Sequence, residues 1–157
     1  MKEISCLAEG RNRRIAIAVA RFNENVTEPL LAGCKAALIE HGVDEANLTV
    51  VRVPGAWELP LVCRLLAEDG QHDAVIALGA VIRGETAHFD FISAECARGL
   101  QQVGLDTGVP VAFGVLTTED SIQAQVRADP AGKNKGREAA LAALEMMALT
   151  ERLSSGP

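Results

Sequence analysis

Short apolar runs alternate with amphipathic stretches along almost the whole chain. RIAIAVA (14–20) predicts a first strand, and the amphipathic stretch 24–41, opened by Asn23 and closed by Gly42, predicts a first helix. LTVVRV (48–53) predicts a second strand, stopped by Pro54-Gly55, and ELPLVCRLLAEDG (58–70) a helix with Pro60 in its first turn. DAVIALGAV (73–81) is nearly continuous in hydrophobicity and predicts a strand buried on both faces. A third helix is expected over 88–106, a fourth strand over PVAFGVLT (110–117), and helices at about 120–128 and over 135–152, the latter after AGKNKG. Strands alternating with helices through short connections predict an α/β three-layer sandwich, with a four-stranded parallel sheet covered on both faces. The pattern reads as one domain over 1–157, with an N-terminal arm (1–12) and a loose tail (154–157). Within the arm, EISCL (3–7) is a weak strand pattern suited to a sheet edge or to pairing with a neighbouring chain.

Composition narrows the picture. With 157 residues the chain can bury roughly 68–70% of its unfolded surface without staples. Fifteen Lys and Arg against 21 Asp and Glu give a formal net charge of −6, which argues against nucleic acid or an anionic membrane as the main partner. No apolar run reaches membrane-spanning length, and the first residues lack a signal-peptide core. Cys6, Cys34, Cys63 and Cys96 are too far apart for CxxC chemistry, and the last three sit in helical patterns as small buried residues, so a reducing cytoplasm is expected. No spacing of His, Cys, Asp or Glu suggests a metal, and no cofactor motif is present.

In parallel sheets ligands bind beyond the carboxyl ends of the strands, so 21–25, 54–58, 80–88 and 114–119 are the segments to inspect. The chain has four Phe, one Trp and no Tyr. Phe22, Trp57, Phe89 and Phe91 fall just past strand ends or on the next helical turn, and Phe113 lies within the fourth strand. Each aromatic alone reads equally well as core. Together, in an otherwise aliphatic chain, they suggest a platform for a flat ring. The segment GAVIRGETAHFD (79–90) is neither a Walker A loop nor GxGxxG. Its plainer reading is a helix start capped by Thr86 with Glu85 complementing the dipole, and its functional reading is an anion site at that helix N-terminus. His88, in the first turn, is either a surface histidine or a neutral imidazole that takes a proton and returns it. Glu58 is either a dipole-complementing acid or an acceptor for substrate hydroxyls, and Arg127, Lys133 and Lys135 are either solvated cations or anion ligands.

Several motifs in order, ARFN (20–23), VPGAWELP (53–60), DAVIALGAVIRGETAHFD (73–90), GVPVAFGVLTTE (108–119) and NKGREAALAALEM (134–146), resemble the lumazine synthase family of riboflavin biosynthesis over about residues 13–150. The resemblance implies a flavodoxin-like strand order and a transferase that condenses 5-amino-6-(D-ribitylamino)uracil with 3,4-dihydroxy-2-butanone 4-phosphate. It further implies that Phe22 stacks on the pyrimidine, that Asn23 and Ala56, Trp57 and Glu58 hold the ribityl chain and ring edge, and that backbone groups of Ala80, Val81 and Ile82 read the ring. Glu85, Thr86 and Arg127 would hold the phosphate, His88 would be catalytic as the proton shuttle, and Phe113 and Lys135 would arrive from a neighbouring subunit. By the same resemblance no metal or cofactor is needed, the partners are small-molecule substrates and further copies of the chain in a pentamer or a 60-subunit shell, and riboflavin synthase is a further expected partner. The chain departs from the family at DPAGK (129–133): the lysine usual at 131 is Ala131, with Lys133 two residues on. No insertion separates Arg127 from Lys135, which is compatible with a closed shell.

A receiver module needs acids after the first strand and an Asp ending the third, where this chain has Ala20-Arg21-Phe22 and Gly79-Ala80. A non-catalytic flavin or lumazine carrier, or a shell protein of the same fold, is the alternative to the enzyme. Retention of Phe22, Glu58, His88, Phe113 and Arg127 disfavours it.

Overall fold

A computed structural model describes residues 1–156. Four strands, β1 (Ile15–Ala20), β2 (Leu48–Val53), β3 (Ala74–Ile82) and β4 (Val111–Thr118), form one parallel sheet in the order β2-β1-β3-β4. The helices are α1 (Glu24–Glu40), α2 (Leu59–Glu68), α3 (His88–Thr107), α4 (Ser121–Ala128) and α5 (Lys135–Ser154). Strand and helix limits fall within one or two residues of the sequence pattern. Of the expected tail, α5 takes in Ser154, and Pro157 lies outside the described residues.

β1 shows why the sheet takes a layer on each side. Its alternate residues Ile15, Ile17 and Val19 pack with α1, α4 and α5, while Ala16, Ala18 and Ala20 pack with α2 and α3. All six are essentially inaccessible to water. Large side chains on one face and alanines on the other let the two helical layers sit at different heights on one strand. Consecutive crossovers use opposite faces on either side of β1, so the strand order reverses between β1 and β3 and a crevice opens there at the carboxyl ends.

The NKG segment is explained by packing. Asn134 holds a left-handed conformation (φ 46°), which asparagine tolerates, just before α5. A Cβ on Gly136 would lie 2.1 Å from the Leu30 carbonyl oxygen, so only glycine lets α5 cross α1 at this distance. Arg137 then pairs with Glu40 at 2.6 Å, tying the start of α5 to the end of α1 and holding the Glu40 carboxyl below its usual range.

The segment 3–7 forms no strand in the single chain. Ala8 packs against the core, and Gly10 donates its N–H to the His41 carbonyl at 2.8 Å.

Candidate active site

The crevice at the strand ends is a cavity of about 800 Å³. It gathers Phe22 and Asn23 after β1, Pro54 to Glu58 after β2, Ala80 to Ile82 at the end of β3, and Gly84, Thr86, His88, Phe89 and Ile92 from the following loop and α3.

Backbone hydrogen bonds place the aromatic rim. The N–H groups of Arg21 and Phe22 donate to the carbonyls of Val53 and Pro54, at 2.8 and 3.0 Å, which fastens the turn after β1 to the turn after β2. Asn23 follows in the left-handed region (φ 62°). Its side chain does not cap α1; Nδ2 instead donates to the Ala80 carbonyl at 3.0 Å, across the point where the strand order reverses. The sequence pattern marks Asn23 as the opening of α1 and the resemblance as a ligand contact; neither reveals this clamp. With β1 and β2 ends fixed, Phe22 stands 71% exposed and Trp57 58% exposed at the cavity mouth. Both rings line the cavity.

Glu58 ends the short 3-10 turn Ala56–Glu58 and leads into α2. Its carboxylate caps no helix and lies over Gly55, where a Cβ would stand 3.6 Å from Oε1. A half-buried acceptor in a cavity suits a ligand rich in hydroxyl or N–H donors.

The anion-site loop differs in detail from its sequence reading. The residue at the cap position of α3 is Ala87, not Thr86. Thr86 instead accepts the His88 N–H on Oγ1 at 3.3 Å, and the acid in the first turn is Asp90, while Glu85 is exposed and lies outside the cavity lining. The next N–H groups of this turn, those of Asp90 and Phe91, both donate to the Ala87 carbonyl, at 3.1 and 3.3 Å. His88 lines the cavity at that helix start. Phe91, one further aromatic of the segment, points to solvent.

Three expected site residues lie apart from the cavity. Phe113 is in β4, five residues before that strand ends, and is 50% exposed. Arg127 folds back so that Nη1 donates to the Gln123 carbonyl at 3.1 Å, and Lys135 pairs with Glu138 at 3.0 Å. A residue the sequence did not single out, Arg83, links the loops after β3 and β4: Nε donates to Glu119 at 2.8 Å and Nη1 to Asp90 at 3.3 Å. Such a contact spans 36 residues and leaves no local pattern. Among the described residues no three His, Cys, Asp or Glu side chains are grouped as metal ligands, and no helix is long and apolar enough to cross a membrane.

The family profile described as 6,7-dimethyl-8-ribityllumazine synthase matches residues 12–151. A 6,7-dimethyl-8-ribityllumazine synthase of Edwardsiella ictaluri (strain 93-146) is 55% identical over 148 residues, covering 94% of this chain and 95% of that protein. With the cavity lying at the ends of the same strands that carry the matched motifs, the chain belongs to the 6,7-dimethyl-8-ribityllumazine synthase family.

Proposed function

We propose that this chain condenses 5-amino-6-(D-ribitylamino)uracil with 3,4-dihydroxy-2-butanone 4-phosphate to 6,7-dimethyl-8-ribityllumazine, with release of phosphate and water, the penultimate step of riboflavin biosynthesis. The observation that carries this reading is the convergence of an exposed aromatic rim, an unpaired carboxylate and a helix N-terminus bearing His88 on one cavity. A flat ring with a polyol tail and an anionic co-substrate together match those three surfaces.

In this reading Phe22 stacks on the pyrimidine, Trp57 and Ala56 border the ribityl chain, and Glu58 accepts its hydroxyl hydrogens. Backbone groups of Ala80, Val81 and Ile82 meet the ring edge. The phosphate sits at the start of α3 beside Thr86, with Glu85 contributing backbone only. The 5-amino group attacks the ketone and loses water to give an imine. Removal of a carbon-bound proton by His88 then lets phosphate depart. The ketone so generated closes on the ribitylamino nitrogen, and a second dehydration completes the ring. The reactants supply most of the reactivity, and the protein contributes alignment and one proton relay.

Phe113, Arg127 and Lys135 enter the same reading from a second copy. They stand outside the chain's own cavity, on and beside the edge strand β4, and would complete a neighbour's site in a pentamer or a closed shell. Riboflavin synthase, which takes up the product, is the further partner. Three buried thiols fit a reducing compartment such as the cytoplasm. Purified protein given both substrates in chelator-treated buffer is expected to release phosphate and form the lumazine chromophore together. A rate no faster than the spontaneous background would overturn the enzyme and leave a carrier.

A further inference from the structure

The loop 83–87 has few restraints of its own. Gly84, Glu85, Thr86 and Ala87 are all exposed, and no atom of another element lies within 4 Å of where a Gly84 Cβ would stand. Its only internal side-chain bond is the 3.3 Å contact from the His88 N–H to Thr86. Yet this loop sets where α3 begins. Arg83 closes it from one end to the other. Its backbone N–H donates to the Thr118 carbonyl at 2.9 Å, which fixes the near end to β4. Its guanidinium lies 4.3 Å from the centre of the Phe89 ring and donates to Asp90, both in the first turn of α3, which fixes the far end. A further bond to Glu119 ties the assembly to the segment leading into α4.

We infer that Arg83 is a positioning residue: it holds the start of α3, and with it Thr86 and His88, at a set place relative to the ends of β3 and β4. It does not line the cavity, so it acts through Phe89 and the helix start and not by touching the substrate. An isolated exposed ion pair contributes little. Here one planar cation meets a ring face and two carboxylates at once, a geometry that lysine's single ammonium does not reproduce. The inference rests on the reading that residues 84–88 receive the phosphate and the shuttled proton.

The test is steady-state kinetics with each substrate varied in turn, on wild type, Arg83→Ala, Arg83→Lys, Glu119→Gln and His88→Ala, with unfolding midpoints measured alongside. Arg83→Ala is expected to raise KM for the phosphate substrate about tenfold while KM for the pyrimidine changes less than about twofold. Arg83→Lys should recover less than half of that loss, and Glu119→Gln should reproduce a smaller part of it, both with folded protein. An unchanged phosphate KM in Arg83→Ala, an equal rise in both KM values, or full recovery in Arg83→Lys would overturn the brace. Wild type without turnover overturns the parent reading instead, and loss of turnover confined to His88→Ala leaves that reading standing while removing Arg83 from it.

Discussion

The mouth formed by β1, β2 and β3 and the flank formed by β4, α4 and α5 carry comparable shares of the family's motifs, yet one chain treats them differently. At the mouth, hydrogen bonds between consecutive turns bring Phe22, Asn23, Glu58 and the start of α3 around one cavity. On the flank, Phe113, Arg127 and Lys135 are not among the residues lining that cavity, and Arg127 and Lys135 satisfy their charged groups on their own helices. The difference follows from topology. The mouth lies where the strand order reverses, so the chain itself supplies both walls. The flank ends the sheet, with β4 as its edge strand. In the proposed reading, the mouth of one copy is completed by the flank of another.

The strongest way to break that comparison is complementation. His88→Ala damages the mouth and Arg127→Ala the flank, so with the phosphate substrate well below KM each alone should lose most activity. Co-expressed in equal amounts, they should regain about a quarter of the wild-type rate, because random assembly gives that share of sites two intact halves. No recovery in the mixed assembly would mean that both residues serve the same chain's site.

Single variants sharpen it. His88→Ala should lower kcat at least about tenfold, below the span usual for acid–base catalysis because the reactants supply much of the reactivity. Its effect on substrate KM should be smaller. Arg127→Ala should raise KM for the phosphate substrate about tenfold and spare the pyrimidine. A shift confined to the pyrimidine would remove Arg127 from the anion site.

How much of this was legible beforehand differs between the two regions for the same reason. Strands such as IAIAVA and AVIALGAVI are apolar runs bounded by charged residues, Arg14 and Arg21 in one case and Asp73 and Arg83 in the other, so their limits could be read locally. The mouth was legible as soon as the sheet was taken as parallel, since ligands then gather at known strand ends. Side-chain bonds between turns were not legible. Nothing local says that Asn23 clamps Ala80, or that Arg83 reaches Glu119. The cap position at Ala87 was missed by one residue, because Thr86 has the preferred chemistry for a place it does not occupy. The outward face of Phe113 could not be read from VAFGVLTT, which is apolar on both sides of its pleat. NKG read as a candidate ligand segment, but its glycine serves a helix crossing.

That last point predicts a separation between fold and chemistry. Gly136→Ala forces a Cβ against the Leu30 carbonyl and should cost about 1–3 kcal/mol, as overpacking does. Protein that remains folded should keep nearly normal KM values. A denaturant midpoint equal to wild type would show that α5 shifts freely on α1, and a selective loss of substrate binding would move NKG from the fold to the site.

The last prediction compares the two sides of the sheet through their buried thiols. Cys34 packs with α5 on one side, and Cys63 and Cys96 pack together beneath the cavity on the other. Burial pushes Cys34 and Cys63 up to about 12, Cys63 also by the neighbouring Cys96, and burial pushes Cys96 up to about 11, from an ordinary value of 9.0. The folded chain therefore keeps protons that the unfolded chain releases above pH 9. The stability these thiols confer is complete below that pH and falls as pH rises towards 11 to 12. Each thiol should add a slope of about 1.4 kcal/mol per pH unit within that window. Urea unfolding at a series of pH values would measure the slope, and differences from wild type remove the titration of every other group. Cys34→Ala should lower the slope by one thiol's share, whereas Cys63→Ala with Cys96→Ala should lower it by two. Equal slopes in all three proteins would mean that the thiols ionise alike in the folded and unfolded chains, and that the layer beneath the cavity is open to water.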